Sequence, residues 1–363
     1  MICSAKILFF IFMGNRLHIF LVLILSIMFF PTILQGQDST HVIRLRDITP
    51  RVSLLQKMKG DLSFVPHYSV ETGAGVMFSY VTKGSVTLIG DISTQGHALL
   101  GIAGSHPVAK GKWRLDYKGY YSYAAMDFWG IGYENASNRL NRTGYDRKKI
   151  YLQGEALKYF SPYFYAGPSV SWDWIIWDAM EGSRTNVFGY GAVAVYDTRN
   201  NAISPQSGVY VRIRQRNYTG LDTRPFYISM AQFNVYRQVW DGGVLAFDLV
   251  GEFSYGSVPW TLLPTIGGTE RMRGYYRGRY MDNNAVSSQV ELRQHIWGMT
   301  SGAAWVGVAH MWGKATSFNL EHALPNAGLG IRFKLADGVI LRFDYGFGRD
   351  GQNGFVLGLN EAF

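Results

Sequence analysis

Apolar and polar residues alternate with a period of two along most of the chain after Gly73. The clearest stretch is 339–347, where one set of alternate positions is Leu341, Phe343, Tyr345 and Phe347 and the other is Ile340, Arg342, Asp344 and Gly346. Successive side chains of a β-strand point to opposite faces, so one face of this segment is apolar and the other is mostly polar. The pattern predicts a strand whose two faces meet different surroundings.

Other stretches show the same division. They are Val209, Val211 and Ile213 against Arg212, Arg214 and Arg216; Leu245, Phe247 and Leu249 against Asp248 and Glu252; and Val290, Leu292 and Ile296 against Gln289, Glu291, Arg293 and His295. Turn-forming residues separate such segments. The spacing predicts about sixteen strands, beginning near residues 73, 85, 97, 112, 126, 148, 162, 187, 208, 224, 243, 285, 301, 326, 338 and 353. Because boundaries read from a pattern shift by a few residues, fourteen or eighteen strands remain alternatives.

Alternation by itself fits either a soluble β-sandwich or a membrane barrel. Many segments have the ~9 to 11 residues that a tilted transmembrane strand needs. Aromatic residues gather near the expected strand ends, as in the girdles of outer-membrane barrels; they are Tyr120, Tyr121, Tyr123, Trp172, Trp174, Trp177, Trp297, Trp305 and Trp312. We therefore expect an all-β fold, a transmembrane antiparallel β-barrel, with a soluble all-β protein as the alternative.

The N-terminus predicts export from the cytoplasm. Lys6 and Arg16 precede an apolar stretch, 17–30, and a small residue, Gly36, follows it. This is the order of a secretory signal peptide, which we assign to residues 1–36, with Met13 as a possible start. An inner-membrane anchor is the alternative, although the stretch is short for a span of ~20 residues. Cys3, the one cysteine, lies in this segment, so the remaining chain offers no disulfide or thiolate site.

We expect three parts: the signal peptide at 1–36, a short periplasmic or luminal lead-in at 37–72, and the barrel at 73–363. The lead-in is shorter than the ~50 residues that an independent domain usually needs. The chain has 42 glycines, 15% aromatic residues, 17% charged residues and a formal charge of +9. This composition suits a barrel better than a helical bundle, and the scattered basic residues do not predict nucleic-acid binding.

Nothing in the sequence predicts an enzyme. There is no Gly-x-Ser-x-Gly nucleophile motif. The histidines outside the signal peptide are dispersed and lack the spacing of metal ligands. Carboxylates and arginines on the polar faces are the usual lining of a barrel lumen. We therefore expect no catalytic residues, no metal and no cofactor.

One expected connection, 256–284, is much longer than the others and contains Gly267, Gly268, Gly274 and Gly278. Long connections in compact domains are usually functional or disordered. Within it, Met272, Arg273, Gly274 and Tyr275 resemble the apolar–Arg–Gly–aromatic loop motif of the BamA/TamA superfamily, also called the bacterial surface antigen family. The resemblance extends over the whole expected barrel, 73–363. It implies that this loop folds into the lumen.

Further segments resemble the same family. Residues 196–200, followed by Ser204, Pro205 and Gly208, resemble its mid-barrel Asp-Thr-Arg turn; 291–293 resembles its twelfth strand and 341–346 its penultimate strand. The chain ends on Phe363, with Phe355, Leu357 and Leu359 at alternate positions before it. These four residues are similar to the C-terminal signal by which the assembly machinery recognises a client barrel. Lipid-facing strand surface is an alternative, compatible interpretation of them.

The resemblance also implies a buried partner for Arg273, because an arginine taken out of water needs carboxylate or carbonyl acceptors. In the family the partner is typically an aspartate of the thirteenth strand. Here the matching segment, 305–309, has Gly307 at that position. Glu291 and Asp344, both on polar strand faces, are the candidate replacements. A solvated Arg273 in an open loop is the alternative.

By resemblance, the protein is expected to be an integral protein of the bacterial outer membrane that assists insertion or translocation of proteins or lipids. The implied mechanism is an unstable seam between the first and last strands, and the implied partners are outer-membrane lipids, the barrel assembly machinery and client outer-membrane proteins. Family members that fold proteins carry periplasmic domains (POTRA repeats), for which 37–72 is too short. The alternative is therefore a transport pore or structural barrel, whose lumen, with Arg212, Arg214 and Arg216, would favour anions.

Overall fold

The computed structural model describes residues 62–82, 86–178, 184–220, 223–313, 319–336 and 339–363. The expected signal peptide, 1–36, and the first part of the lead-in, 37–61, lie outside these residues. In the described ranges, sixteen strands close into one antiparallel barrel, and two short strands pair separately. No helix in these ranges is long and apolar enough to cross a membrane. The predicted fold class and strand number are confirmed.

The strands alternate in direction along the chain, and each pairs with its neighbours around the barrel. In order they are β1 (Leu62–Ser69), β2 (Gly73–Val81), β3 (Val86–Ser93), β4 (His97–Val108), β5 (Trp113–Phe128), β6 (Thr143–Tyr159), β7 (Phe164–Trp177), β8 (Arg184–Asp197), β9 (Gly208–Gly220), β10 (Phe226–Trp240), β11 (Gly243–Gly256), β12 (Thr265–Ile266), β13 (Tyr280–Met281), β14 (Asn284–Trp297), β15 (Thr300–Trp312), β16 (Leu324–Ala336), β17 (Val339–Gly348) and β18 (Asn353–Leu359). β12 and β13 pair with each other, and the other sixteen form the barrel.

The expected number of strands is right although two assignments were wrong. The barrel begins at β1, inside the expected lead-in, and not at Gly73. Pro66 weakens the strand pattern there. Proline has no backbone N–H, but it is tolerated on an edge strand, because one side of such a strand makes no ladder hydrogen bonds. Conversely, the strand expected near residue 126 is the end of β5, which continues to Phe128 and stays in register with β6.

The two faces of the barrel divide as the alternation predicts. On β9, Arg212 and Arg216 are buried in the lumen, whereas Ile213 points outward and is 55% exposed. On β17, Arg342 and Asp344 are buried and Tyr345 and Phe347 are exposed, a division that suits a barrel whose outer face meets lipid.

The predicted aromatic girdle is only partly right. Tyr121 is exposed on the outer face, but its neighbour Tyr120 points into the lumen and is buried. Trp177 and Trp305 are buried as well, and Trp305 lies in the middle of β15 rather than at its end. A ring close to a strand end in sequence can lie on either face of the strand. Its face depends on whether its position is one of the inward or one of the outward residues in the alternation.

The connections differ between the two ends of the barrel. One end, the turn end, has short connections such as 241–242 and 298–299 and also holds the C-terminus. The opposite end, the loop end, has the long connections 129–142, which includes helix α1 (Tyr133–Ser137), and 257–283. Bacterial outer-membrane barrels place short turns in the periplasm and long loops outside the cell. The described chain has the same division, with short turns at one end and long loops at the other.

The ladder between the first and last strands is much shorter than the others. β1 pairs with β2 along its whole length, from Leu62↔Tyr80 to Ser69↔Gly73. On its other edge, β1 is in register with β18 at a single pair, Tyr68↔Leu357. We call this junction the seam. It is where the described backbone supplies the least hydrogen bonding.

Candidate functional site

The long connection 257–283, here called the luminal loop, folds back into the barrel. β12 and β13 pair at its base, and Met272, Tyr275 and Tyr280 are almost completely buried. These three side chains form one apolar cluster with barrel-wall residues, among them Met311 and Leu324. Burial of apolar side chains stabilises a fold by roughly 1.5–3 kcal/mol each. The loop is therefore packed against the wall and does not extend into solvent.

Arg273 lies at the centre of the luminal loop and has no exposed surface. Its Nη1 donates to Asp344 Oδ2 at 2.7 Å, and its Nη2 donates to Glu291 Oε2 at 2.5 Å. Its guanidinium lies over the ring of Trp305, 3.5 Å from the ring centroid. Both carboxylates that the sequence offered as partners thus contact Arg273, and the solvated arginine of the alternative interpretation is not what the structure shows.

The alternation of the strands explains why these carboxylates reach the lumen. Glu291 on β14 and Asp344 on β17 occupy inward positions of their strands. Between them, Gly307 on β15 faces inward but has no side chain to offer. The next inward residue of the same strand, Trp305, supplies the aromatic face instead. Sequence reasoning missed this contact, although Trp305 and Gly307 share a face.

The two carboxylates also bind other arginines. Asp344 accepts from Arg332 at 2.5 Å and from Arg342 at 2.8 Å, and Glu291 accepts from Arg293 at 2.8 Å. A buried charge without a partner destabilises a protein by several kcal/mol. These arginines and carboxylates can be buried together because each of them has at least one partner of opposite charge. We call these arginines, together with Arg273, Glu291 and Asp344, the arginine network. It connects the luminal loop to β14, β16 and β17.

Gly274 of the loop motif is required by a close approach of two backbones. It adopts φ 102°, and a Cβ there would lie 2.4 Å from the carbonyl oxygen of Gly346 on β17. A Cβ on Gly346 would lie 2.0 Å from the carbonyl oxygen of Arg273. Only glycine fits at both positions without displacing the loop. That carbonyl oxygen of Arg273 also accepts from Asn326 Nδ2 at 2.6 Å.

Tyr275, the aromatic residue of the motif, joins the loop to the last strands. Its hydroxyl donates to the carbonyl oxygen of Pro325 at 2.5 Å and accepts from the backbone N–H of Arg349 at 2.7 Å. Burial raises the pKa of Tyr275 to about 12. The phenol therefore remains protonated, and able to donate, at any physiological pH.

Two more contacts hold the loop. Arg271 binds Asp248 on β11 with two hydrogen bonds, Nε to Oδ2 at 2.5 Å and Nη2 to Oδ1 at 2.8 Å. The backbone N–H of Arg277 donates to Glu71 Oε1 at 2.8 Å. Glu71 lies in the connection between β1 and β2, so this second contact ties the luminal loop to the first strand of the seam.

The C-terminal residues do not all face lipid. Phe355 and Leu357 lie on the outer face, but Leu359 and Phe363 are buried, with 4% and 5% of their surfaces exposed. Lipid-facing strand surface, the alternative interpretation of these four residues, therefore does not describe Leu359 and Phe363, and their role as an assembly signal stays a prediction. β18 ends at Leu359, and Asn360 adopts φ 62°, a left-handed conformation that turns the chain.

After this turn, the tail 361–363 enters the lumen. Glu361 Oε2 accepts from Arg332 Nε at 3.1 Å and lies 3.4 Å from Arg293 Nε. Arg293 Nη2 donates to the main-chain oxygen of Phe363 at 3.0 Å, and its guanidinium lies over the ring of Phe363. The ring also contacts Tyr236 on β10. The chain end is thus attached to the arginine network.

The Asp-Thr-Arg segment forms an ordered turn at the turn end. Arg199 donates to both carboxylate oxygens of Asp197, at 2.9 and 2.7 Å, and its guanidinium lies over the ring of Tyr210. Asn200 Oδ1 accepts from the backbone N–H groups of Gln206 and Ser207. The turn is therefore a structural element, far from the luminal loop in sequence.

Among the residues that the structure describes, no group of His, Cys, Asp or Glu has an arrangement that could hold a metal ion. The site is thus a set of ion pairs, stacked rings and close backbone contacts.

The comparisons with known proteins agree with this geometry. Residues 79–363 match the model of the Omp85 superfamily domain. A search of curated protein sequences finds no match. Among solved structures, BamA from Haemophilus ducreyi lacking POTRA domains 1–3 superimposes with a TM-score of 0.61 and 15% identity, covering 83% of this chain and 70% of that one.

Two CdiB structures are similar as well, each with a TM-score of 0.57 and 12% identity. The alignment with CdiB from Escherichia coli covers 92% of this chain and 73% of that one, and the alignment with CdiB from Acinetobacter baumannii covers 83% and 59%. At such low identities the likeness shows the fold. Fold and family match together imply an integral outer-membrane protein, and by its match over most of its length the chain belongs to the Omp85 superfamily.

Proposed function

We propose that this barrel assists insertion or translocation of proteins at the bacterial outer membrane by opening at the seam. The observation that carries the proposal is the ladder between β1 and β18, in register only at Tyr68↔Leu357. Membership of the Omp85 superfamily and the fold likeness to BamA and CdiB support it.

The seam favours pairing with another strand. An exposed strand edge presents unpaired N–H and C=O groups, and inside a membrane each unsatisfied group costs several kcal/mol. A client strand added to β1 would satisfy these groups by backbone hydrogen bonds, as in other cases of β-strand addition. β1 would stay attached meanwhile, because its ladder with β2 is complete.

The luminal loop would control this opening from inside. It contacts the first strands through Arg277 and Glu71 and the last strands through Tyr275 and Arg349. Closure therefore depends on side-chain contacts that do not belong to the ladder. We propose that the arginine network keeps the loop in place while the seam opens and closes.

A transport pore remains the second candidate from the sequence. The observation that favoured it, the row of arginines on β9, has another explanation in part, because Arg212 donates to both oxygens of Glu155 at 2.7 Å.

We propose further that the role is not enzymatic. The proposed partners are client outer-membrane proteins, the barrel assembly machinery and outer-membrane lipids.

A disulfide across the seam tests the proposal. Tyr68 and Leu357 are directly opposed on neighbouring strands, a spacing that suits a disulfide, so Tyr68→Cys with Leu357→Cys should lock the junction under oxidising conditions. The expected result is a lower content of outer-membrane proteins in the strain, restored by a reducing agent.

The matched control is Val76→Cys with Ile92→Cys, an opposed outward pair in the continuous ladder of β2 and β3. Locking this pair should change nothing. A normal outer-membrane proteome with the seam fully crosslinked would contradict the proposal. A steady anion-selective conductance in planar bilayers, unchanged by the crosslink, would favour the pore.

A further inference from the structure

The lumen wall formed by β5 to β9 carries more positive charge than its own residues neutralise. Lys118 on β5 is 2% exposed. The charges that act on its ammonium group are those of Arg212, Arg214 and Arg216, which repel it, and of Glu155, which attracts it. We call these four cations the cationic wall. Of these four cations, Arg212 and Arg216 form ion pairs with Glu155.

That carboxylate is already occupied. Glu155 accepts from Arg212 Nη2 with both oxygens and from Gln153 Nε2 at 3.0 Å, and it lies 3.6 Å from Arg216 Nη2. Ser169 also donates to it, at 3.2 Å. A carboxylate with this many donors has little capacity left for Lys118.

The other carboxylates of the same wall have cations of their own. Asp116 pairs with Arg114 at 3.0 Å and accepts from Ser105 at 2.5 Å. Asp173 pairs with Lys149 at 2.7 Å. Within the described ranges, no carboxylate pairs with Lys118. The charge excess therefore is not removed by a second ion pair.

Lys118 is a buried donor without an acceptor. Its Nζ has no hydrogen-bond partner in the described structure, and the centroid of the Tyr151 ring lies 5.5 Å from it. Ser171 Oγ on β7, also in the lumen and 2% exposed, has no partner either. In the ladder, Lys118 and Ser171 are both in register with Gln153 of β6. Two unsatisfied donors thus face the lumen on either side of one residue.

Small residues on β8 leave space in the lumen for the arginine side chains of β9 to extend towards β7 and β6. Gly189 and Gly191 occupy inward positions there. Across them, Arg216 donates to Ser169 on β7 at 2.7 Å and to the hydroxyl of Tyr151 on β6 at 3.2 Å. The hydrogen bonds of Arg216 thus go to neutral hydroxyl groups, and Glu155, 3.6 Å from its Nη2, is also bound by Arg212.

We propose that the cationic wall is a binding site for a phosphate-class oxyanion in the barrel lumen. A buried, unpaired charge is strongly disfavoured, so a bound anion would stabilise the charged form of Lys118 beside its neighbouring arginines. A tetrahedral dianion supplies two negative charges and several acceptor oxygens, which suit an ammonium group, guanidinium groups and a hydroxyl. The site is independent of the seam.

Inorganic phosphate added to the full-length protein in detergent micelles tests this site. The broadening of the ³¹P resonance reports binding directly, and the temperature of the gel shift between folded and unfolded barrel reports stabilisation. Both are measured against chloride at equal ionic strength. We expect phosphate to broaden the signal and to raise the transition temperature, and Lys118→Met to weaken binding about tenfold, as loss of one charge-assisted contact does.

The matched control is Lys148→Met on β6, a lysine that points away from the lumen and is exposed. It should bind phosphate as the wild type does. The gel shift shows whether each variant is folded, so a misfolded variant cannot be mistaken for lost binding. Absence of any phosphate effect in the wild type, or equal binding by Lys118→Met, would overturn the proposal. Greater stability of Lys118→Met in chloride, without a phosphate response in the wild type, would overturn it as well, because the lysine would then be buried without a bound anion.

Discussion

The two sides of the barrel are closed by different interactions. From β5 to β11, neighbouring strands pair along nearly all their lengths, as β5 and β6 do from Trp113↔Lys158 to Phe128↔Thr143. The seam has one register pair, but the luminal loop contacts the connections on both sides of it, at Glu71 and Arg349. The comparison shows that backbone hydrogen bonds hold the far wall, whereas buried side chains hold the seam. Changes to the loop should therefore affect the seam and spare the far wall.

Arg273→Ala should have the largest effect. It removes the cation shared by Glu291 and Asp344 and the group stacked on Trp305. Removing one partner of a buried ion pair typically destabilises a protein by about 3–5 kcal/mol. We expect a lower gel-shift temperature and rapid proteolytic cleavage within 257–283, measured by limited proteolysis of intact cells.

Arg212→Ala on the far wall is the matched control, since it also leaves a buried carboxylate, Glu155, without its main partner. It should lower the transition temperature but leave the luminal loop protected. Equal exposure of the loop in both variants, or a protected loop in Arg273→Ala, would contradict the comparison. It would show that the luminal loop does not depend on Arg273 more than on the far wall.

Gly346→Ala should have an intermediate effect on the same side. The added Cβ would lie 2.0 Å from the carbonyl oxygen of Arg273, so the loop must move. Overpacking of this kind usually costs about 1–3 kcal/mol. The expected result is a lower transition temperature with partial cleavage of the loop.

Gly302→Ala is the control for this change. A Cβ at that position on β15 would meet only the side chain of Ile296, at 3.4 Å, an ordinary contact distance. It should behave as the wild type does. A Gly346→Ala protein with an unchanged transition temperature would show that the backbone contact between loop and β17 adjusts without cost.

Glu71→Gln should have the smallest effect and one that depends on pH. Partial burial raises the pKa of Glu71 above its ordinary 4.5. The folded state thus prefers the protonated acid, and stability falls as the pH rises from the unfolded-state value through the folded-state value. Glutamine keeps an oxygen acceptor for the N–H of Arg277 and cannot ionise. We expect a slightly higher transition temperature than wild type at pH 7 and no difference below pH 4.

The exposed Glu321→Gln in the connection 313–323 controls for the change of net charge. It should not alter the pH profile. A Glu71→Gln protein that loses stability at pH 7 would mean that the ionised carboxylate, and not merely its oxygen, holds the loop to the first strand.

Much of the fold could be predicted because strand alternation is a local property. The inward position of Asp344 and the outward position of Phe347 follow from parity alone, and the motif around Arg273 indicated the luminal loop. Parity did not show that Trp305 stacks on Arg273, or that β1 begins at Leu62 with a proline in it. Both depend on neighbouring strands that are distant in sequence.

The sequence by itself determined the family, the number of strands and the two faces of each strand, because periodicity and a local motif contain that information. Only the tertiary structure decided which charges meet. Arg273 pairs with Glu291 and Asp344, Phe363 lies in the lumen, and Lys118 lies near three arginines. The reason is physical: closure of the barrel and the register between strands bring inward residues together across the lumen, and neither can be read from one strand alone.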